Sequence, residues 1–232
     1  GIDGSEGHIL MNNGTLVVNS TADDVKAMKC DSTITINGGL LDFLVAGDQS
    51  NGIKCDMDMF LVGGEINIEV SGGVVLEASG SGYDPSYSGA IKGESDIYIQ
   101  GSTIHLITTG EASRGISSDS DIIVESGTIT IVSSGDGDTY TNTDGDNDAY
   151  HGACFKTDAG LSLLGGSVTI SNSGSGGKGL AIDGSLFVGD GSSNPQIDIT
   201  TTGERITINS GGGGGSSGDY DESKAIKADV SV

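Results

Sequence analysis

The chain has 232 residues with 41 glycines, 2 prolines and no tryptophan, and its 33 acidic against 10 basic side chains give a formal net charge of -23. Glycine at that level without proline fits neither collagen nor a proline-rich linker, and the charge argues against a nucleic-acid partner, because phosphate backbones are gripped by Lys and Arg. The apolar runs fall far short of the ~20 residues that span a bilayer, and no basic segment with an apolar stretch behind it opens the chain, so a secretory signal, if one is made, is expected to have been removed.

In chain order, a five-residue pattern of small, apolar, Lys, small and acidic recurs. It begins at Ala27-Met28-Lys29-Cys30-Asp31 and returns at Gly52-Ile53-Lys54-Cys55-Asp56, Ala90-Ile91-Lys92-Gly93-Glu94, Gly115-Ile116-Ser117-Ser118-Asp119, Cys154-Phe155-Lys156-Thr157-Asp158, Gly179-Leu180-Ala181-Ile182-Asp183 and Ala225-Ile226-Lys227-Ala228-Asp229. Seven copies exclude chance. Six residues after each central apolar residue a short strand is predicted, at Ile34, Met59, Ile97, Ile122, Leu161, Leu186 and Val232, with Ile9 as an earlier member. A second apolar residue follows two positions on, as in Met11, Ile36, Leu61, Ile99, Val124, Leu163 and Val188, which is the period of a strand. Glycine turns such as Gly38-Gly39 and Gly63-Gly64 come next, then another alternating pair such as Leu16/Val18, Leu41/Phe43 or Ile66/Ile68.

A 25-residue unit with three short strands and no room for a helix predicts an all-β fold, a right-handed parallel β-helix of about eight coils, in one domain over residues 1–232. The chain starts and stops inside a repeat, so flanking sequence is expected on both sides. Cys30 and Cys55 share an inward column and are expected as stacked, buried thiols. With Cys154 they suit neither a disulfide framework nor zinc.

Alternate units are lengthened, which predicts long loops at 72–88, 134–152 and 200–223 on one corner. They hold Tyr83, Tyr87, Tyr140, Tyr150 and Tyr220, five of the six tyrosines. Such rings either pack over their own loops or stack on sugar faces. The run Gly211 to Gly215 reads as a flexible tip, since no Lys-Ser/Thr follows to make a phosphate loop.

The cations are equally uneven. Lys29, Lys54, Lys92, Lys156 and Lys227 form one column, and Lys26, Arg114, Lys178 and Lys224 another, nine of the ten basic residues in all. Alternation turns the first column to solvent, with inward Met28, Ile53, Ile91, Phe155 and Ile226 beside it and a carboxylate two residues on. Charge compensation between stacked rows explains this, and so does a stripe that grips an anionic polymer. Asp23, Asp48, Glu111 and Asp221 each lie eight residues before the repeat acid, with Asp24 adjacent, and carboxylates gathered from successive turns offer the hard oxygens calcium takes. Asp144-Gly145-Asp146-Asn147-Asp148 opens like a calcium loop, although Phe155 stands where the last ligand of an EF-hand would be, so a solvated acidic loop is the other reading. His8, His105 and His151 are too scattered for a triad.

The repeated Gly/Ala-Ile-Lys-x-Asp strand, followed by Ile-x-Ile-x-Gly-Gly-x-Ile-x-Ile, resembles a family of secreted bacterial carbohydrate-binding β-helix proteins related in fold to family 9 pectate lyases. The likeness covers nearly the whole chain. It implies a secreted or cell-surface protein that binds Ca2+ through Asp clusters and takes plant cell-wall polymers, including acidic pectin-type chains. In the lyases a Lys abstracts the proton while calcium neutralises the uronate carboxylate. The matching positions are among Lys29, Lys54, Lys92 and Lys156, and a fivefold column singles out none of them.

The leading expectation is therefore a monomeric, non-catalytic, calcium-binding protein that recognises an acidic or plant cell-wall type polysaccharide. Its sugar face is expected at Lys29, Lys54, Lys92, Lys156, Tyr83, Tyr87, Tyr140 and Tyr150, and its metal ligands at Asp23, Asp24, Asp48, Asp144, Asp146 and Asp148. A calcium-dependent polysaccharide lyase and a structural or adhesive surface solenoid are the alternatives. Replacing Asp144, Asp146 and Asp148 together is expected to lower the calcium stoichiometry in a calorimetric titration, and an unchanged stoichiometry removes that segment from the ligand set.

Overall fold

The structure is a computed structural model and describes residues 1–208 and 219–229. The Gly211 to Gly215 tip and the strand expected at Val232 lie outside the described residues. All regular structure among the described residues is β, and no helix occurs. Alternating apolar residues and β-branched side chains suit a pleated surface with one buried face, and the frequent glycine turns leave no stretch long enough for a helical period.

Two large sheets carry the chain. An eight-stranded parallel sheet runs through Ile2–Gly4, Lys26–Cys30, Asn51–Cys55, Gly89–Gly93, Arg114–Ser118, Ala153–Thr157, Lys178–Ile182 and Lys224–Ala228. Its register sets each pentapeptide on the next, so that Met28, Ile53, Ile91, Ile116, Phe155 and Leu180 form one inward row. A twelve-stranded sheet, again parallel, takes the other strands of each repeat, from Ile9–Met11 and Thr15–Ser20 to Leu186–Val188 and Gln196–Thr201. The inward rows of both sheets merge into one apolar core, with Ile53, Ile91, Ile116, Phe155 and Leu180 all at 0% exposure.

The inward pattern fails at one end. Ile226 is 45% exposed and Val188 55%, because Lys224–Ala228 and Leu186–Val188 each have a described neighbour on one side only. A row residue is buried by the rungs on both sides of it, so alternation alone does not hide the last member.

Glycine sets the turn geometry. Gly39 and Gly64 have φ of 97° and 87°, the left-handed region where a Cβ is penalised. A Cβ on Gly64 would also lie 2.7 Å from the Gly39 carbonyl oxygen, so neither the conformation nor the stacking distance admits another residue.

Cys30 and Cys55 stack in register, buried and unbridged. Their row does more than fill space. The Cys30 thiol donates to the Gly7 carbonyl at 2.9 Å, the Cys55 thiol to Ser32 at 2.9 Å, and the Ser118 hydroxyl to Ser95 at 2.6 Å. Thr157 does the same toward Ser120. Each donor reaches a carbonyl of the preceding turn, and the Ser32 carbonyl accepts the Met57 amide as well.

Among the described residues the three insertions carry strand pairs of their own. The segments predicted at 72–88, 134–152 and 200–223 each hold an antiparallel hairpin, Val75–Ser79 with Gly82–Ser86, Asp138–Thr141 with Asn147–Tyr150, and Ile206–Ile208 with Asp219–Asp221. Extra chain that leaves and re-enters a sheet at one corner pairs with itself, which satisfies its own amides. The first two hairpins meet, Ser81 N donating to Thr143 O at 2.8 Å. Phe155→Ala, which removes the largest member of an inward row, is expected to cost about 3–5 kcal/mol in urea unfolding. A loss below about 1 kcal/mol would contradict the packing.

Candidate functional site

Lys29, Lys54, Lys92, Ser117, Lys156, Ala181 and Lys227 lie in register on the outer face of the eight-stranded sheet. Four of these lysines are neutralised. Lys29 meets Asp31 at 2.6 Å, Lys54 meets Glu94 at 2.7 Å, Lys156 meets Asp158 at 2.5 Å and Asp183 at 2.8 Å, and Lys227 meets Asp229 at 3.3 Å. The hydrogen bond to Asp31 holds the Lys29 ammonium above its usual range. For Lys54 burial works the other way, and Glu94 with Asp56 outweighs it. Lys92 stands apart. Its own strand supplies Glu94, but that longer side chain turns to Lys54 on the preceding rung, and Lys92 has no ion pair among the described residues.

Lys92 sits at the junction of two cavities. One, of about 430 Å³, is floored by Asn51, Lys92, Arg114, Ser117, Asp119 and Asp158 and walled by Glu77, Asp84, Pro85, Ser86 and Tyr87 from the first hairpin and its exit. The other, of about 150 Å³, adds Asp24, Lys26, Gln49 and Lys54, and shares Asn51, Ser86, Tyr87 and Lys92 with the first. Together they make a groove across successive rungs. The Arg114 guanidinium lies 3.6 Å from the Tyr87 ring centroid, a cation–π contact. Burial pushes the Tyr87 hydroxyl up, with Arg114 opposing. Arg114, which contacts Tyr87, also has no ion pair among the described residues, so the groove offers two cations without a carboxylate partner, an aromatic ring and carboxylate acceptors within one polar trough.

The other predicted sugar residues divide. Lys29 lies outside both cavities, and Lys156 is doubly paired, although its partner Asp158 lines the groove. Tyr83 is exposed on the first hairpin. Tyr140 and Tyr150 tilt against each other with centroids 5.8 Å apart. Tyr150 is buried, and its hydroxyl donates to Glu111. Burial pushes the Tyr140 phenol up to about 12, and burial with Glu111 raises that of Tyr150. Sequence reasoning missed Arg114 and Asn51 as groove residues. Both occupy the column that begins at Lys26, and that column was the available signal.

The corner carboxylates are used by the backbone. Asp23 Oδ1 accepts Asp48 N at 2.9 Å and Asp48 Oδ1 accepts Gly73 N at 2.7 Å. Asp24 pairs with Lys26. In the second hairpin the Asp144 and Asp146 amides donate to Asn142 Oδ1 at 3.1 and 3.0 Å, and Asp148 Oδ1 accepts Ala149 N at 2.7 Å. Among the described residues no three His, Cys, Asp or Glu side chains are grouped to hold a metal ion.

Asp221 does not join the corner row, because the extra chain enters just after that position and Glu204 occupies it instead, its carbonyl accepting Gly176 N. Asp221 fastens the third hairpin. Its Oδ1 lies 2.6 Å from Lys178 Nζ and its Oδ2 2.6 Å from His151 Nδ1. Lys178, predicted in the second cationic column, is 1% exposed and donates also to Gly176 O and Glu222 O at 2.6 Å. Burial lowers Lys178 against the pull of Asp221. Burial would raise Asp221, but His151 and Lys178 hold it below the usual carboxylate range.

A polar trough of cations, carboxylates and an aromatic ring has the chemistry to take a hydroxyl-rich ligand by hydrogen bonds and ring contact. The family described as carbohydrate-binding domain-containing protein matches residues 1–137, more than half of the chain, and the chain belongs to that family. The matched span contains Asn51, Tyr87, Lys92 and Arg114. No curated protein and no solved structure matches the chain. No helix among the described residues is long and apolar enough to cross a membrane.

The His151 ring is pushed down by burial, against the pull of Asp221. A group whose folded value lies below its unfolded value of ~6.5 contributes stability that is present above that pH and lost as the pH falls below it. Thermal unfolding should therefore show a loss of stability from pH 7 to pH 5 that is smaller in His151→Asn, whose amide does not titrate. An identical pH profile in both proteins would dismiss the ring as the titrating group.

Proposed function

We propose that this carbohydrate-binding chain is a non-catalytic module of a secreted or cell-surface protein, and that it holds an acidic polysaccharide in the Lys92–Arg114 groove. The in-register 25-residue steps support reading its fold as a right-handed parallel β-helix of about eight coils, the architecture of the pectate-lyase-like proteins that the repeat resembles. The observation that carries the proposal is the unpaired Lys92 beside Arg114 in a chain of net charge -23. Two cations without a carboxylate partner in so acidic a protein favour a ligand that brings its own anion. A uronate carboxylate takes charge-assisted hydrogen bonds from Lys92 and Arg114, sugar hydroxyls donate to Asp119 and Asp158, and an apolar sugar face packs beside Tyr87.

Calcium belongs to this reading at the rim. Asp23 and Asp48 are committed to backbone amides, and no three carboxylates among the described residues are grouped to hold the ion by themselves, so in this reading a sugar carboxylate has to complete the shell of hard oxygens. A calcium-dependent lyase is the second reading, favoured by the same singular Lys92. Its amine would take the proton α to the uronate carboxyl while the glycosidic oxygen departs with a proton from water, leaving an unsaturated product.

Affinity electrophoresis in polygalacturonate, with and without EDTA, tests the proposal. Lys92→Ala is expected to weaken retention about tenfold or more, the ~1.5–3 kcal/mol of a hydrogen bond to a charged group, and EDTA to weaken it further, with no ultraviolet absorbance from unsaturated product. Such absorbance, abolished in Lys92→Ala, would replace binding with the lyase reading, and absence of retention would sink both.

A further inference from the structure

One corner row follows a rule at its aspartates that Glu111 does not share. Asp23, Asp48, Gly73, Glu111 and Asp136 succeed one another there, since the amide after each donates to the carbonyl of the next, as Asp24 N to Asp48 O at 2.9 Å and Ala112 N to Asp136 O at 3.0 Å. Where the row has Asp, a carboxylate oxygen caps the amide one rung on. Asp23 takes Asp48 N, Asp48 takes Gly73 N, and Asp136 takes Ser175 N at 2.8 Å. Glu111, one methylene longer, instead accepts the Tyr150 hydroxyl at the end of the second hairpin. Its carbonyl accepts Val74 N, at 3.0 Å, where the first hairpin begins.

One residue thus touches the roots of both hairpins, and the hairpins lock at their tips. Ser81 N donates to Thr143 O, and a Cβ on Gly82 would lie 2.3 Å from Asn142 O. The first hairpin is the wall of the groove, and its exit carries Tyr87 onto Arg114. A place where one member leaves a repeated local pattern marks a demand other than stacking.

We propose that Glu111 is a positioning residue for carbohydrate binding, which sets the two hairpins against the sheet and so fixes the depth of the groove and the seat of Tyr87. This rests on the groove reading above. Glu111 itself lies outside the set of residues lining the cavity; it acts through Tyr150 and the hairpin roots.

The test compares Glu111→Ala, Glu111→Gln, Tyr150→Phe and Lys92→Ala by retention in polygalacturonate and by amide hydrogen exchange over residues 82–87 and 147–150. Glu111→Gln keeps an acceptor for the hydroxyl and should stay within twofold of the unaltered chain. Glu111→Ala and Tyr150→Phe should each lose about fivefold in retention and exchange faster in both segments, while Lys92→Ala loses retention with exchange unchanged. Tyr150→Phe removes one hydroxyl from an intact ring, so it decides the matter if Glu111→Ala fails to fold. Retention unchanged in Tyr150→Phe, or Glu111→Gln as weak as Glu111→Ala, overturns the proposal. If Lys92→Ala also binds normally, the groove reading falls with it. If the unaltered chain is not retained, that reading alone fails, and exchange still decides whether Glu111 registers the wall.

Discussion

In-register parallel pairing places every side chain about 4.8 Å from its equivalent on the next rung, so whatever a repeat contains becomes a row. For apolar residues this is favourable without further conditions, and the row from Met28 to Leu180 is buried throughout. For charged residues it is unfavourable, because like charges directly opposite one another repel. A row of lysines is tolerable only when carboxylates interleave with it, and Asp31, Glu94, Asp158, Asp183 and Asp229 do so here.

The groove follows from how that compensation is shared out. The partner row is built of Asp except at Glu94, the longer acid, which reaches back to Lys54 and leaves Lys92 uncommitted. The corner row behaves alike at Glu111, where the extra methylene takes the carboxylate off the backbone and onto Tyr150. In both rows a Glu among aspartates departs from stacking. An acidic protein thereby presents two cations in a trough without any excess of basic residues.

Much of the architecture is legible from spacing. The strands, their inward residues, the Lys column and the corner that carries the insertions all follow from a period of 25 counted along the chain. Cys30 and Cys55 stack as that count requires, yet their hydrogen bonds to Gly7 and Ser32 show a donor row continued by Ser118 and Thr157, which the count does not disclose. The insertions are hairpins because residues that leave the period must pair locally, and the period says nothing about how. Ile226 and Val188 defeat the count for another reason: burial comes from neighbours on both sides, and a pattern cannot show where neighbours cease.

Order along the chain is a linear property, so the sequence by itself determined which rows would face inward and, Asp221 excepted, which of the named residues would share a row. Which carboxylate answers which cation depends on side-chain reach between rungs 25 to 46 residues apart, on the hairpins that overhang them, and on burial. Those are distances in space, and so only the tertiary structure decided that Lys92 stays free, that Lys178 is withdrawn to hold Asp221, and that Glu111 serves the hairpins and not the ladder.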